Sequence, residues 1–376
     1  MSGGVTTDAT DALAHYDETP PELDEILAVS RGMATAVAPA SGLSDVQAPL
    51  LRAITKAVTS HDIDYRALEP LGPDELARVL ERRKPAYRQR LVHHMVLAEM
   101  VLIPIPEDVA QRVAAVARAL GVDDDFVDVA RQYARGALGL AWNELRREGF
   151  VERTDVDDLT GLHAAAQIVD PWEEPPPDSE LEARWRAFAE LPEDTLGRAV
   201  ADMYRARGFF IPGTRSAASP YLAQHDFVHV VADYGTTIEG ELEVFAFVGR
   251  ADPDPKGFAW LATMVGLFET GYIHQQGFFE ANVRDRHLDN PGMDVRLADA
   301  IRRGKIVSEA FGRDLFHVDY HELANRSIED VRELLCLPAK DDAAIAGGSV
   351  GPFHPDGLSA FQREAGQKSR ADERTF

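Results

Sequence analysis

The sequence predicts an all-α protein, organised as two helical domains joined by an acidic, proline-rich linker. Three observations lead there. Apolar residues recur at helical spacing in several segments that carry start and stop signals. No alternation of apolar and polar residues runs long enough to build a sheet. The stretch "VDPWEEPPPDSE" interrupts the helical pattern midway and has the composition of an exposed connection.

The elements follow in chain order. Residues 1–45 are rich in Thr, Asp, Pro, Ala and Ser and are expected to be poorly ordered, with room for a short helix in "PELDEILAVSRGMATAV". Residues 46–155 read as a bundle of at least four helices. "PDELARVLERRKPAYRQRLVHHMVLAEMVLI" supplies one or two of them; His93 and His94 are adjacent there and point to different faces. "PEDVAQRVAAVARALGV" puts Val113, Val116, Ala117 and Leu120 on one stripe, with Pro106 as a start and Gly121 as a stop. "DDDFVDVARQYARGALGLAWNELRREG" reads as the next helix, with acids in its first turn and Gly149 past its end. Residues 156–189 form the linker. Residues 190–338 form the second helical domain, which opens with Leu196, Ala199, Val200 and Met203 on one stripe of "DTLGRAVADMYRARG". Residues 339–376 read as a flexible tail.

Composition narrows the function classes. At 376 residues and 45% hydrophobic content there is material for substantial cores. A net charge of -24 repels nucleic-acid phosphates, so no nucleic-acid partner is expected. It also repels an anionic bilayer, so peripheral membrane contact would need a local apolar patch. No apolar run approaches the roughly 20 residues of a membrane-spanning helix. The acidic N-terminus has neither an apolar signal core nor an Arg-rich transit pattern. The single cysteine excludes an internal disulfide framework and suits a reducing cytosol, so a cytoplasmic location is expected. Cys336, in "LLCLP", is expected to be a buried apolar side chain.

The chemistry concentrates in "HDFVHVVADYGTTIEGE", residues 225–241. Ser219 and Pro220 make a good helix entry, and Gly235 a natural stop. On that helix His225 and His229 lie one turn apart, and Asp226 and His229 are neighbours at i and i+3. "TTIEGE" turns the chain, and a helical hairpin would return Glu241 to the histidine face. Two imidazoles with one or two carboxylates suit Zn²⁺ or another divalent first-row metal. Such a pair also occurs on ordinary helices. His317 and His321 repeat the spacing in "HVDYHE", in a polar setting that reads as surface. Phe227, Val228, Val230 and Val231 surround the first pair, where polar groups need compensation.

A second stretch, residues 256–283, carries Trp260, Leu261, Met264, Val265 and Phe268 around Gly266. It reads either as a slot for a thin apolar chain or as a closely packed core helix. His274 and His287 each read as hydrogen-bonded structural histidines.

His225, Asp226, His229 and Glu241 match the HDxxH-x11-E signature of the Coq4 family of ubiquinone-biosynthesis proteins, and residues about 190–338 resemble that family. "LPEDTLGRAVADMYRARGF" resembles its upstream helix, and "RRGKIVSEAFGRDLFHVDYHELANRSIEDVRELLCL" its C-terminal stretch. The resemblance implies that all four motif residues are metal ligands or site residues, with zinc as the first expectation. It implies a prenylated, lipophilic aromatic substrate and chemistry at its C1 carboxyl group, either decarboxylation or hydroxylation. It equally implies a non-catalytic lipid-binding scaffold that organises a biosynthetic complex. The N-terminal half resembles the TerB-like helical domains of tellurite-resistance proteins through "RLVHHMVLAEMVL...AQRVAAVARALGV". It would then be the surface for protein partners. The acidic metal segment of that group is replaced here by "IPIPEDV".

Overall fold

The computed structural model describes residues 21–102, 104–122, 127–128, 176–215, 217–218, 220, 223–257, 261, 265, 286–369 and 372–376. The described residues are all-α, as expected. Their one β pairing is a single bridge between Thr195 and Ser327.

Among the described residues, five helices precede residue 121: α1 (Leu23–Val37), α2 (Gln47–Thr59), α3 (Pro73–Val79), α4 (Pro85–Met100) and α5 (Glu107–Leu120). The long "PDELARVLERRKPAYRQRLVHHMVLAEMVLI" segment divides into α3 and α4 because Pro85 can open a helix but cannot continue one. The Val113 stripe of α5 is buried as expected, and Gly121 ends the helix in the left-handed region at φ 67°. The helix expected from "DDDFVDVARQYARGALGLAWNELRREG" lies almost wholly outside the described residues.

Among the described residues, nine helices follow residue 178: α6 (Ser179–Arg186), α7 (Leu196–Arg207), α8 (Gln224–Ala232), α9 (Ile238–Ala251), α10 (Met293–Ala310), α11 (Tyr320–Leu323), α12 (Ile328–Leu334), α13 (Asp342–Ala346) and α14 (Ala360–Lys368). α9 and α10 pack along each other, and Gly304 makes this possible. A Cβ there would stand 2.5 Å from the carbonyl oxygen of Phe247.

Within residues 1–45, the short helix for which the sequence leaves room is present as α1, which buries Ile26, Val29, Met33 and Val37. Other expectations are corrected. The linker, placed at 156–189, ends earlier on its C-terminal side. Asp178 caps α6 by accepting from the Glu180 and Leu181 amides, and Leu181, Trp185 and Phe188 are buried. The tail 339–376 is not loose. α14 has a complete capping box at Ser359 and Gln362 and packs on α7.

The two halves are not separately cored. One continuous apolar cluster runs from Ile26, Leu51 and Val96 to Phe227, Phe247 and Ile301. α2 lies against α10, and Arg90 on α4 donates to the Pro253 carbonyl at 3.1 Å. Cys336 is exposed, because α12 ends there with the cysteine itself in the left-handed region at φ 53°. No described helix is long and apolar enough to cross a membrane.

Candidate metal centre

α8 begins later and ends earlier than its sequence signals suggest. Ser219 lies outside the described residues, and Ala223 precedes the first turn without a side-chain cap. Asp233, not Gly235, takes the left-handed stop at φ 62°, and the helix closes on its amide bonding to the His229 carbonyl. Gly235 serves a different contact: a Cβ there would meet the Gly357 backbone at 2.7 Å. The connection is therefore short, and α9 starts at once. The Thr237 side chain caps α9 by accepting from the Gly240 amide, which places Glu241 in its first turn.

The helical hairpin brings the motif together. His225, His229 and Glu241 each offer a ligand atom, and these atoms all lie within 4.8 Å of one another. Glu241 Oε2 is 3.6 Å from His225 Nε2 and 3.3 Å from His229 Nε2. His229 is fully buried and Glu241 is 7% exposed. The His225 ring packs against Phe245, with centroids 5.1 Å apart.

The orientation of His229 bears on its role. Its Nδ1 lies 3.2 Å from the Tyr234 carbonyl oxygen, a contact that calls for a proton on Nδ1. Nε2 then carries a lone pair directed at Glu241 and His225, and it is buried with no hydrogen bond. A buried imidazole lone pair facing a carboxylate is poorly solvated as it stands. A cation between the three groups would satisfy it. Backbone tethering of the far ring nitrogen is also the usual support of a metal-binding histidine. The residues therefore fit a divalent ion.

Asp226 borders this group. Its Oδ1 is 3.5 Å from His225 Nε2, while its Oδ2 accepts from the Tyr204 hydroxyl at 2.5 Å. Burial, and then the negative charge of Asp226, push the Tyr204 hydroxyl well up, so it stays a donor. Burial pushes the Glu241 carboxyl up as well. When the imidazoles are protonated, attraction to His229 and close polar contacts from both rings outweigh that effect and hold it well below the usual carboxylate range.

Sequence reading alone missed a buried cation. Arg207, 1% exposed, holds the connection between α8 and α9 in place. It donates to the Thr236 hydroxyl and to the carbonyls of Pro352 (2.7 Å) and Gly357 (3.0 Å). Burial pulls its pKa down to about 10 against the opposing pull of Asp226 and Glu241. The C-terminal segment adds Val350, whose carbonyl accepts from the Gly235 amide at 2.8 Å. Gln362 donates to the Thr236 carbonyl at 2.7 Å. The one sequence signal for this support was the placement of Tyr204 and Arg207 beside the buried stripe of α7.

The other candidates separate clearly. His317 lies 3.1 Å from Asp314 Oδ2. His321 packs among the Trp185, Phe188 and Phe227 rings, so its setting is aromatic and not the polar surface expected. The His225, His229 and Glu241 trio is the metal-competent group among the described residues. His287 Nδ1 pairs with Glu239 Oε1 at 2.9 Å, the structural role expected of it. His274, Trp260, Met264, Gly266 and Phe268 lie outside the described residues, while Leu261 and Val265 are buried at 2% and 0%.

No family model matches the chain, and no curated protein matches it. Among solved structures, the chain is similar to a crystal structure from Nostoc punctiforme that is provisionally described as a ubiquinone biosynthesis protein. The identity is 21%, the match covers 66% of this chain and 96% of that chain, and the TM-score is 0.28.

Proposed function

We propose that the chain is a Coq4-like, metal-dependent protein of quinone or related lipophilic aromatic biosynthesis, acting at the C1 carboxyl group of a prenylated aromatic substrate. The observation that carries this reading is the buried trio of His225, His229 and Glu241, with the His229 lone pair aimed into it. Three protein ligands are the number a catalytic site uses when it keeps a position for water or substrate. A divalent ion held there would polarise a carboxylate or phenolic oxygen and stabilise charge developing on it.

The chain's own residues do the rest. Tyr234 fixes the His229 tautomer through its carbonyl, Tyr204 positions Asp226, and the Phe245 ring covers His225. Two histidines and a carboxylate suit zinc and also ferrous iron. Zinc is the first choice and would go with loss of carbon dioxide alone. Iron would go with an oxygen-dependent reaction that also hydroxylates the ring.

The test is elemental analysis joined to native mass spectrometry of the purified chain. One divalent ion per chain is expected, lost in His229→Ala and retained in His317→Ala. Full retention in His229→Ala refutes the assignment. The lipid half of the proposal places the prenyl tail along residues 260–268. Gly266→Leu is expected to displace co-purifying lipid without altering metal content. If Asp226 closes the coordination sphere and no exchangeable water remains, the same data favour the lipid-binding scaffold.

A further inference from the structure

Away from the metal centre, a cavity of about 130 Å³ lies between α1, α2 and α4 on one side and the end of α9 with α10 on the other. Its body is aliphatic, formed mainly by Ile26, Val29, Met33, Ile54, Val58 and Leu91. A cavity of that kind holds water poorly and takes an apolar guest instead. The cations in its wall call for no anionic guest. Lys305 pairs with Glu309, Arg90 donates to the Pro253 carbonyl, and Arg90 and Arg250 have further interactions of their own. His94 beside them is neutral. Burial, and then the charges of Arg250, His93 and Arg90, push its imidazole down to about 3.

The other polar feature of the wall is a pair of uncharged hydroxyls, Ser30 on α1 and Thr55 on α2. Thr55 Oγ1 bonds the hydroxyl of Tyr65, a buried residue, at 2.7 Å. Burial pushes the Tyr65 hydroxyl up to about 12 against the opposing pull of Ser30 and Thr55, so it stays protonated. Ser30 is fully buried among the aliphatic side chains of α1. Its hydroxyl stands near Tyr65 but makes no hydrogen bond of normal geometry. A serine hydroxyl can donate once and accept twice, so Ser30 keeps bonding capacity in a place where water does not supply it. A buried hydroxyl in that state is poorly compensated, and a hydroxyl brought by a guest would satisfy it.

We propose that this cavity binds a small neutral alcohol, with its hydrocarbon part in the aliphatic body and its hydroxyl on Ser30. The lining fixes the hydrocarbon part. The volume is close to that of the roughly 150 Å³ engineered cavity that holds one benzene molecule, which sets the guest at about six carbons. Ser30 and Thr55 fix the head group, because they both donate and accept but carry no charge. A charged head group would give up its hydration for uncharged partners. The site uses none of the metal-centre residues, so it stands or falls separately from the proposed function.

Met33 lines the cavity and supplies the probe. Methyl NMR of the full chain with isotope-labelled methionine tests the proposal by titration with butanol, pentanol and hexanol, the Met33 signal being identified with Met33→Leu. That signal is expected to shift saturably, with affinity rising up to about fourfold per added methylene until the cavity is filled. Benzene serves as the guest without a hydroxyl, and hexanoate and hexylamine as the charged ones. Both charged guests should bind at least about tenfold more weakly than hexanol. Ser30→Ala should weaken hexanol about two- to tenfold, the worth of one hydrogen bond, and leave benzene unchanged. Val29→Phe should fill the cavity and abolish binding of both. Val58→Phe does the same from a half-buried position, in case the first variant does not fold. Metal content should stay at the wild-type level throughout. The proposal is overturned if millimolar hexanol leaves the Met33 signal in place, if hexanoate or hexylamine binds as tightly as hexanol, if Ser30→Ala leaves hexanol binding unchanged, or if hexanol binding survives both cavity-filling variants.

Discussion

Replacing Tyr204 with phenylalanine removes a single oxygen atom from the support of the metal centre. The ring would stay where it is. It is 1% exposed and packs against Trp185 at 5.1 Å and Phe209 at 5.4 Å between centroids. What disappears is the 2.5 Å hydrogen bond to Asp226 Oδ2, leaving that oxygen buried without its donor. A hydrogen bond to a charged group contributes about 1.5–3 kcal/mol, so the metal-free protein should lose about that much stability. Asp226 would then be able to turn away from His225, whose Nε2 is 3.5 Å from its other oxygen. Loss of a supporting contact of this kind costs about 10–100-fold in metal affinity.

Two assays read the two effects: thermal unfolding of the chelator-stripped protein, and competition with a chelator of known affinity for the loaded one. Asp226→Asn should produce much of the same loss, and the double variant should fall well short of the sum, because both changes break one contact. Wild-type metal affinity together with a wild-type unfolding temperature in Tyr204→Phe would refute the reasoning.

Arg207→Met should destabilise the fold by about 3 kcal/mol or more, since it strips charged donors from the buried Pro352 and Gly357 carbonyls. Proteolysis should then begin within residues 350–362 while the wild type resists there. Acid should weaken the fold through His94. Its folded pKa of about 3 lies below the ordinary value of 6.5, so the unfolded chain binds the extra proton. Stability is therefore complete above about pH 6.5 and falls, by at most ~1.4 kcal/mol per pH unit, as pH drops toward 3. His94→Gln should flatten that slope in urea melts taken across the range. Cleavage in "VDPWEEPPPDSE" should leave two fragments that elute together from a sizing column, because α2 and α10 pack across the halves. Separate elution would show that the shared core does not hold them.

Much of the helical pattern was legible because it rests on local rules. Gly121 and Gly208 stop α5 and α7 at φ 67° and 65°, and the stripes through Val113 and Val200 face inward. The ligand spacing was legible for the same reason: one helical turn and one tight connection decide where His225, His229 and Glu241 meet. Long-range packing was not. Nothing in "GPFHPDG" or "FQREAGQ" shows that Gly357 and Gln362 would bind Thr236, 121 and 126 residues away. Asp233 outcompeted Gly235 as the stop because backbone bonds to the C-terminal segment were already committed at Gly235. His321 misled because its polar neighbours in sequence are not its neighbours in space, where three aromatic rings surround it.

One element links the metal centre to the N-terminal half of the chain. α9 carries Glu241 in its first turn and Arg250 in its last, nine residues and so about 14 Å apart along the axis. It has little freedom to tilt between them. Gly304 on α10 leaves no space for even a methyl group against the Phe247 carbonyl and the Ala251 amide. α10 also packs against α2, which belongs to the N-terminal half. The N-terminal helices thus bear on the metal centre without touching it. They fix α10, α10 fixes α9, and α9 sets the position of the carboxylate that faces both histidines.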